Sequence, residues 1–516
     1  MAVRLLSSSA LGSPRRVADS PDTGFLDEAE PRGNPYGDTF GYGEAVVGGD
    51  SRPDEVGARL RPQLIQGDHM DRGQLATRHH EELELFTRTH PRSAEIAGNA
   101  RRHLVAGVPM PWMTRWPGKF PVFVDHASGA RFVDVDGNEY VDFCMGDTGA
   151  MAGHALPAVT DALAERARLG ITTMLPSEDA VWVADELRRR FGLDKWQMAM
   201  TATDANRFVL RLARAITGRP KVAVIDWCYH GTVDESLVVL GDDGEMMHRP
   251  GAIGPSTDVQ ATTRVVPFND LEALDAALAQ GDIACLLMEP ALTNIGIVLP
   301  DPGYLDAVRE IVRRHGVLWV VDETHTIGAG PGGYTKAWNL DPDFFVIGKP
   351  IGGGMPVAAY GMTAAVAERV EALIGDHLVD VSGIGGTLTG NALAAAAVKA
   401  TLSTTLLDDD FVRMINLASA WTDGVENAYR ARGLDWHVQQ LGARAEYWFC
   451  PPPRNGADAA AASDHELEAY MHLFALNRGV LLTPFHNMAL MSPSHAADDV
   501  DVHTRVFTDA LASLLD

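Results

Sequence analysis

Residues 316–354 read GVLWVVDETHTIGAGPGGYTKAWNLDPDFFVIGKPIGGG. Two apolar runs, VLWVV and DFFVI, have the length and β-branched or aromatic content of buried strands. Each stops on a charged residue. The first delivers Asp322; the second delivers Lys349, with Gly352, Gly353 and Gly354 close behind. In a parallel α/β sheet, ligands sit outside the carboxyl ends of the strands, so these two side chains should face one crevice. Alone, each is ordinary, since an Asp at a strand end commonly caps a helix and a Lys before glycines is commonly solvated. Gly328, Gly330 and Gly333 also fit G-x-G-x-x-G, the dinucleotide fingerprint. That fingerprint needs a strand running into the first glycine and a helix after the last. Here the strand has already ended, Pro331 interrupts the motif and YTKAWNLDP follows, so the run reads as a loop.

A lysine and a carboxylate placed this way meet the needs of pyridoxal phosphate. Lys349 would hold the cofactor as a Schiff base. Asp322 would pair with the pyridinium nitrogen and keep the ring an electron sink.

Composition sets the bounds. The chain has 516 residues, 46% hydrophobic and 22% charged, which suits a globular protein with a large core and two to four domains. A formal charge of −26 argues against nucleic acid or an anionic membrane surface as partner. Cys144, Cys228, Cys285 and Cys450 are far apart, with no CxxC and no Cys/His cluster. This favours a reducing, cytoplasmic location and no metal site. No apolar run reaches membrane-spanning length.

Residues 1–75, rich in Gly, Pro, Ser and Asp, are expected to be a disordered leader, with Met70 an alternative start. Residues 76–165 give helices broken at Pro91 and short strands with turns at Ser128-Gly129 and Asp136-Gly137. Between 166 and 404, strands such as KVAVIDW and IACLLMEP alternate with helices such as GYLDAVREIVRRHG, which indicates a mostly parallel sheet. Residues 405–516 mix helices and short strands. The expected fold is α/β, with a large sheet domain and a smaller α+β domain built from the N- and C-terminal segments.

Several motifs occur in a fixed order. They are YVDFCMGDTGAMAGHALP, TATDAN at 201–206, Tyr229-His230-Gly231, Glu289-Pro290 with Asn294 and Gly296, Asp322-Glu323, GKPIGGGMPVAAYGM around Lys349, and GTLTGNALAAAA from Gly386. Together they resemble the class III aminotransferases of fold type I, nearest the glutamate-1-semialdehyde 2,1-aminomutase-like branch. The resemblance runs from roughly residue 95 to the C-terminus. It implies pyridoxal 5′-phosphate as cofactor, Lys349 and Asp322 as catalytic residues, and a small-molecule amino donor and carbonyl acceptor. Intramolecular amino transfer, as in the aminomutases, is the alternative activity. Ala202 and Thr203 would take the phosphate, helped by backbone N–H groups at a helix start, which favour an anion. Tyr229 would stack on the pyridine ring and Thr324 would lie behind it. Thr387 would reach the phosphate of a neighbouring subunit, which implies a homodimer with shared active sites.

The departures fall on the substrate side. Ala202 stands for the usual Gly, Asp204 for Glu and Thr324 for Val. His325 reads either as a partner that tunes Asp322 or as a satisfied core histidine. GVLLTPFHNMALMSP lacks the arginine that many relatives use to clamp a dicarboxylate. In PMPWMTRWPGKFPVF the candidate carboxylate ligand is Arg115, flanked by Trp112 and Trp116 as an aromatic wall.

Overall fold

The computed structural model describes residues 70–255, 258–374 and 382–516. The expected leader up to residue 69 lies outside them. The helix Arg72–Thr89 opens ahead of residue 76, capped by the Asp71 carboxylate, which accepts from the Gly73 and Gln74 amides. Pro91, at the first position of the next helix, ends it.

The central sheet has seven strands. Their spatial order is Lys195–Ala199, Ala358–Met362, Phe344–Ile347, Leu318–Asp322, Ile283–Met288, Lys221–Ile225, Thr263–Val266. Ala358–Met362 runs antiparallel to both neighbours, and the other pairings are parallel. Ile283–Met288, Leu318–Asp322 and Phe344–Ile347 are buried at every residue. Helices cover both faces there, which is why these strands read as unbroken apolar runs. Edge strands announce themselves less. In Lys195–Ala199 the residues alternate between exposed and half-buried before Ala199. Its Trp196 indole lies 2.7 Å from where a Cβ on Gly361 would be, so only glycine fits opposite it.

The two ends of the chain meet in a second sheet. Val124–Ser128, Arg131–Asp134 and Glu139–Asp142 form a meander, and Val480–Leu481 adds in parallel to Glu139–Asp142. Gly129 and Gly137, both at positive φ, make its two turns. A third sheet, His437–Leu441, Arg444–Trp448 and Met488–Leu490, packs on the helix Asp408–Ala431. The Ala-rich helix Ala392–Thr404 is buried against Pro157–Arg168 and Glu178–Phe191, where small side chains let helices approach closely.

The glycine run after Asp322 has its own explanation. A single 3-10 turn, Thr326–Ala329, leads to a five-residue helix, Gly333–Ala337. Its first amides bind the buried Glu323 carboxylate, which accepts from Tyr334 N at 2.9 Å and from Thr335 N. A Cβ on Gly333 would lie 2.5 Å from Glu323 Oε2. The glycine thus admits the chain's own carboxylate.

Candidate active site

Leu318–Asp322 and Phe344–Ile347 are adjacent and parallel, with Asp322 paired to Val346. Lys349 follows two residues beyond the second strand at φ 48°, an uncommon left-handed conformation for a lysine. Pro350 and the 3-10 turn Lys349–Gly352 hold it there. Asp322 and Lys349 thus leave neighbouring strands on the same side of the sheet.

Asp322 is buried and heavily bonded. Its Oδ2 accepts from Asn206 Nδ2 at 2.8 Å and pairs with His230 Nδ1 at 2.9 Å, while Oδ1 accepts from Thr324 N at 3.0 Å. Burial alone would raise its pKa, but the His230 hydrogen bond and charge, with the Thr324 and Asn206 bonds, outweigh this and bring it down to about 2. His230 is the counterpart. Burial works against its charge, yet the proximity of Cys228 and the bond to Asp322 hold it well above its ordinary range. The carboxylate therefore stays ionised, with capacity left on Oδ1 for one more donor.

Lys349 Nζ donates to Asp147 Oδ2 at 2.7 Å and lies 2.8 Å from His325 Nε2. Asp147 sits in a strained run in which Met145, Gly146, Asp147 and Thr148 all have positive φ. Burial pushes its carboxyl up, but Lys349, then His325 and Arg444, hold it far below the usual range. His325 does not touch Asp322; that place belongs to His230. Nor is it a plain core histidine, for its Nδ1 receives Arg444 Nη2 at 2.9 Å. Its enclosed position, and then the Lys349 charge, keep it well below its ordinary pKa.

Thr201 caps the helix Ala202–Thr217, its hydroxyl accepting from Asp204 N. The Ala202 and Thr203 amides belong to the first turn and have no acceptor within the helix. Gly348, just before the lysine, packs on Ala202, with 3.0 Å between a Cβ built there and the Ala202 methyl. Thr203 Oγ1 accepts from Thr232 N at 3.2 Å. Tyr229 is half-buried, its ring 5.4 Å from Trp112, and Trp112 is 5.1 Å edge-on from Phe485. Arg249 lies 6.0 Å from the Tyr229 centroid and donates to Cys228 O, which steadies that loop. Thr324 is buried, and its hydroxyl has no partner among the described residues.

The remaining candidates spread outward. Thr387 lines an open cleft of about 410 Å³ with Asp204, Arg207 and Arg211. Arg115 is exposed and in the electrostatic field of His465, and Trp116 is half-buried. Sequence reasoning gave no role to Asp147, Asn206, His230 or Arg444. The signal for Asp147 was present in the glycine-flanked GDTG, and that for Arg444 in GARAEYWF, where Arg444 and Glu446 put two charges into a fully buried strand.

The class III aminotransferase family model matches residues 112–432. The chain belongs to the class III aminotransferases. A glutamate-1-semialdehyde 2,1-aminomutase of Sorangium cellulosum is 34% identical over 430 residues, covering 82% of this chain and 97% of the relative. A crystal structure of a glutamate-1-semialdehyde aminomutase from Pseudomonas aeruginosa, in complex with PMP, is 49% identical with a TM-score of 0.85, over 86% of this chain and 100% of that one. An ω-transaminase from Sphaerobacter thermophilus is 26% identical with a TM-score of 0.74, over 82% and 98%. This class III aminotransferase has the fold type I architecture, a large mostly parallel sheet with helices on both sides. Pyridoxal phosphate, the cofactor of the class, fits the residues present. A charged Asp322 with spare acceptor capacity, the first-turn amides of Ala202 and Thr203 at a capped helix start, the partnerless Thr324 hydroxyl and the part-exposed lysine are the groups it would need.

Proposed function

We propose that the chain transfers an amino group from an amino acid or amine to a keto acid or aldehyde, using pyridoxal phosphate anchored on Lys349. The observation that carries this reading is the placement of Lys349 and Asp322 at the ends of adjacent strands, the lysine amine held between Asp147 and His325. The cofactor, when bound, supplies an aldehyde to take up the amine and a ring that delocalises negative charge. Asp322, ionised, would hold a proton on the ring nitrogen. Ala202 and Thr203 offer amides to the phosphate at the helix start. Tyr229 would cover one side of the ring and Thr324 the other, with Trp112 closing the wall beyond Tyr229. Lys349 Nζ takes the proton from the substrate carbon that bears the amino group and later returns one.

Intramolecular transfer is the second reading, and the names of the relatives favour it. Both follow from one site, because they differ only in whether the carbonyl that receives nitrogen belongs to the donor. We place the enzyme in the cytoplasm as a homodimer in which Thr387 serves the partner's phosphate site. The four cysteines, all buried and free, support the reducing compartment.

Borohydride reduction and peptide mapping test the anchor, since the pyridoxyl adduct should lie on Lys349 and Lys349→Ala should not turn over. An adduct on another lysine removes the assignment. A panel of amino donors and keto acids, run beside glutamate 1-semialdehyde alone, separates the two activities. For the dimer, mixing Lys349→Ala with Thr387→Ala subunits should restore activity; a fully active monomer in sedimentation overturns it.

A further inference from the structure

Arg444 is 1% exposed in the strand Arg444–Trp448, far from any ordinary place for a guanidinium. Its Nη2 donates to Thr148 Oγ1 at 2.7 Å and to His325 Nδ1 at 2.9 Å, and Thr148 Oγ1 lies 3.3 Å from the same ring nitrogen. On the far side of the ring, His325 Nε2 is 2.8 Å from Lys349 Nζ. The imidazole is therefore contacted at one nitrogen by a guanidinium and at the other by the lysine nitrogen.

Hydrogen-bond inventory settles what this means. A guanidinium has donors only, so His325 Nδ1 must be the acceptor. A neutral imidazole has one N–H, and with Nδ1 accepting it sits on Nε2. An ammonium at Lys349 would leave two N–H groups facing each other, or else demand an imidazolate. Only the lysine can reverse its role: as an amine it accepts from Nε2–H through its lone pair and still donates one N–H to Asp147 Oδ2.

We propose that Arg444 is a positioning residue that locks His325 in its Nε2–H tautomer, so that His325 serves as the proton donor aimed at the nitrogen of Lys349. The enclosure of His325 first, and the Arg444 charge beside it, favour a neutral ring, as the lock requires. Charge balance supports a permanently cationic Arg444. Burial lowers its pKa, but Asp147, Glu446 and Glu289 oppose that, and His486 stands beyond, bonded to Glu446. The lock aims an N–H, not a lone pair, at the lysine nitrogen that must attack a carbonyl carbon. It rests on the reading of Lys349 as the anchor, but its test does not depend on turnover.

The test is ¹⁵N NMR of histidine-labelled, full-length protein freed of cofactor, with His325→Gln to assign the signal. The expected spectrum shows Nε2 protonated and Nδ1 bare. Arg444→Met should abolish that preference and let Nδ1 take the proton, whereas Thr148→Val, which keeps the guanidinium, should leave it intact. A wild-type ring protonated on Nδ1 overturns the proposal even if the Arg444 variant fails to fold. So does an unchanged tautomer in Arg444→Met, or a tautomer lost in Thr148→Val. A pyridoxyl adduct found elsewhere than Lys349 would undo the anchor and leave the tautomer result standing, so the two failures are distinct.

Discussion

His230 Nδ1 stands 2.9 Å from Asp322 Oδ2, and each of these buried groups keeps the other charged. A histidine from one strand-end loop thereby secures the carboxylate at the end of another. Asp322, with its depressed pKa, contributes stability above the usual carboxylate range that is lost as pH falls towards about 2. His230, with its raised pKa, contributes below the usual imidazole range and loses it as pH rises through its own raised pKa.

Asp322→Asn should keep the fold and cost roughly 10²- to 10³-fold in kcat, the scale of removing one preorganised electrostatic partner. Circular dichroism checks the fold and steady-state kinetics the loss. Turnover near wild type would show that another group holds the ring nitrogen.

Glu289 gives a pH prediction of opposite sign. Burial pushes its carboxyl up to about 7, against a partial offset from His230 and the Thr293 hydroxyl. A folded pKa above the unfolded one stabilises fully below the unfolded value and is lost as pH rises through 7. Glu289→Gln cannot ionise, so its stability relative to wild type should improve by about 1–3 kcal/mol between pH 4.5 and 8.5. Urea unfolding at the two pH values measures it, and an offset independent of pH would contradict it.

Gly231→Ala should damage the proposed phosphate site at Thr203 from outside it. Gly231 has φ 83°, and a Cβ there would lie 2.0 Å from Thr203 Oγ1. The helix start must shift, at a cost of about 1–3 kcal/mol in stability, and cofactor affinity should fall about tenfold or more. Fluorescence titration with pyridoxal phosphate reads the affinity. Adding Thr203→Ala should recover part of the loss by removing the clashing hydroxyl; no recovery would locate the damage elsewhere.

Trp112 and Arg115 divide by substrate class. Trp112→Ala, which removes the ring against Tyr229 and Phe485, should raise KM for amines and amino acids alike. Arg115→Ala should raise KM for amino acids alone if its guanidinium meets a carboxylate. Equal KM values for wild type and Arg115→Ala on both classes would reduce Arg115 to a surface residue beside His465.

The parts legible in the sequence were those whose chemistry is local. Asp322 and Lys349 could be placed because fully buried parallel strands read as continuous apolar runs, and the end of such a run is a position in space. The family motifs added Thr203 and Tyr229. The edge strand at Lys195 was missed, because a half-exposed strand lacks that run. The partners of the lysine were missed for a different reason. Asp147 and Arg444 lie 202 and 95 residues from Lys349 along the chain, in segments with no catalytic spacing. His325 was linked to Asp322 by nearness in sequence, yet successive residues past a strand end point in different directions, and His230 came in from another loop.

The strand Val480–Leu481, which closes onto Glu139–Asp142, puts a condition on the timing of assembly. Asp147 lies five residues past Glu139–Asp142, and Arg444 comes from the third sheet, so the groups around Lys349 are drawn from both sides of it in the sequence. A chain still emerging from the ribosome would have Lys349 well before it had the pairing at Val480. Since Asp147 and Arg444 flank Lys349 in the sequence on either side, a chain interrupted before residue 444 lacks part of the group that surrounds the amine.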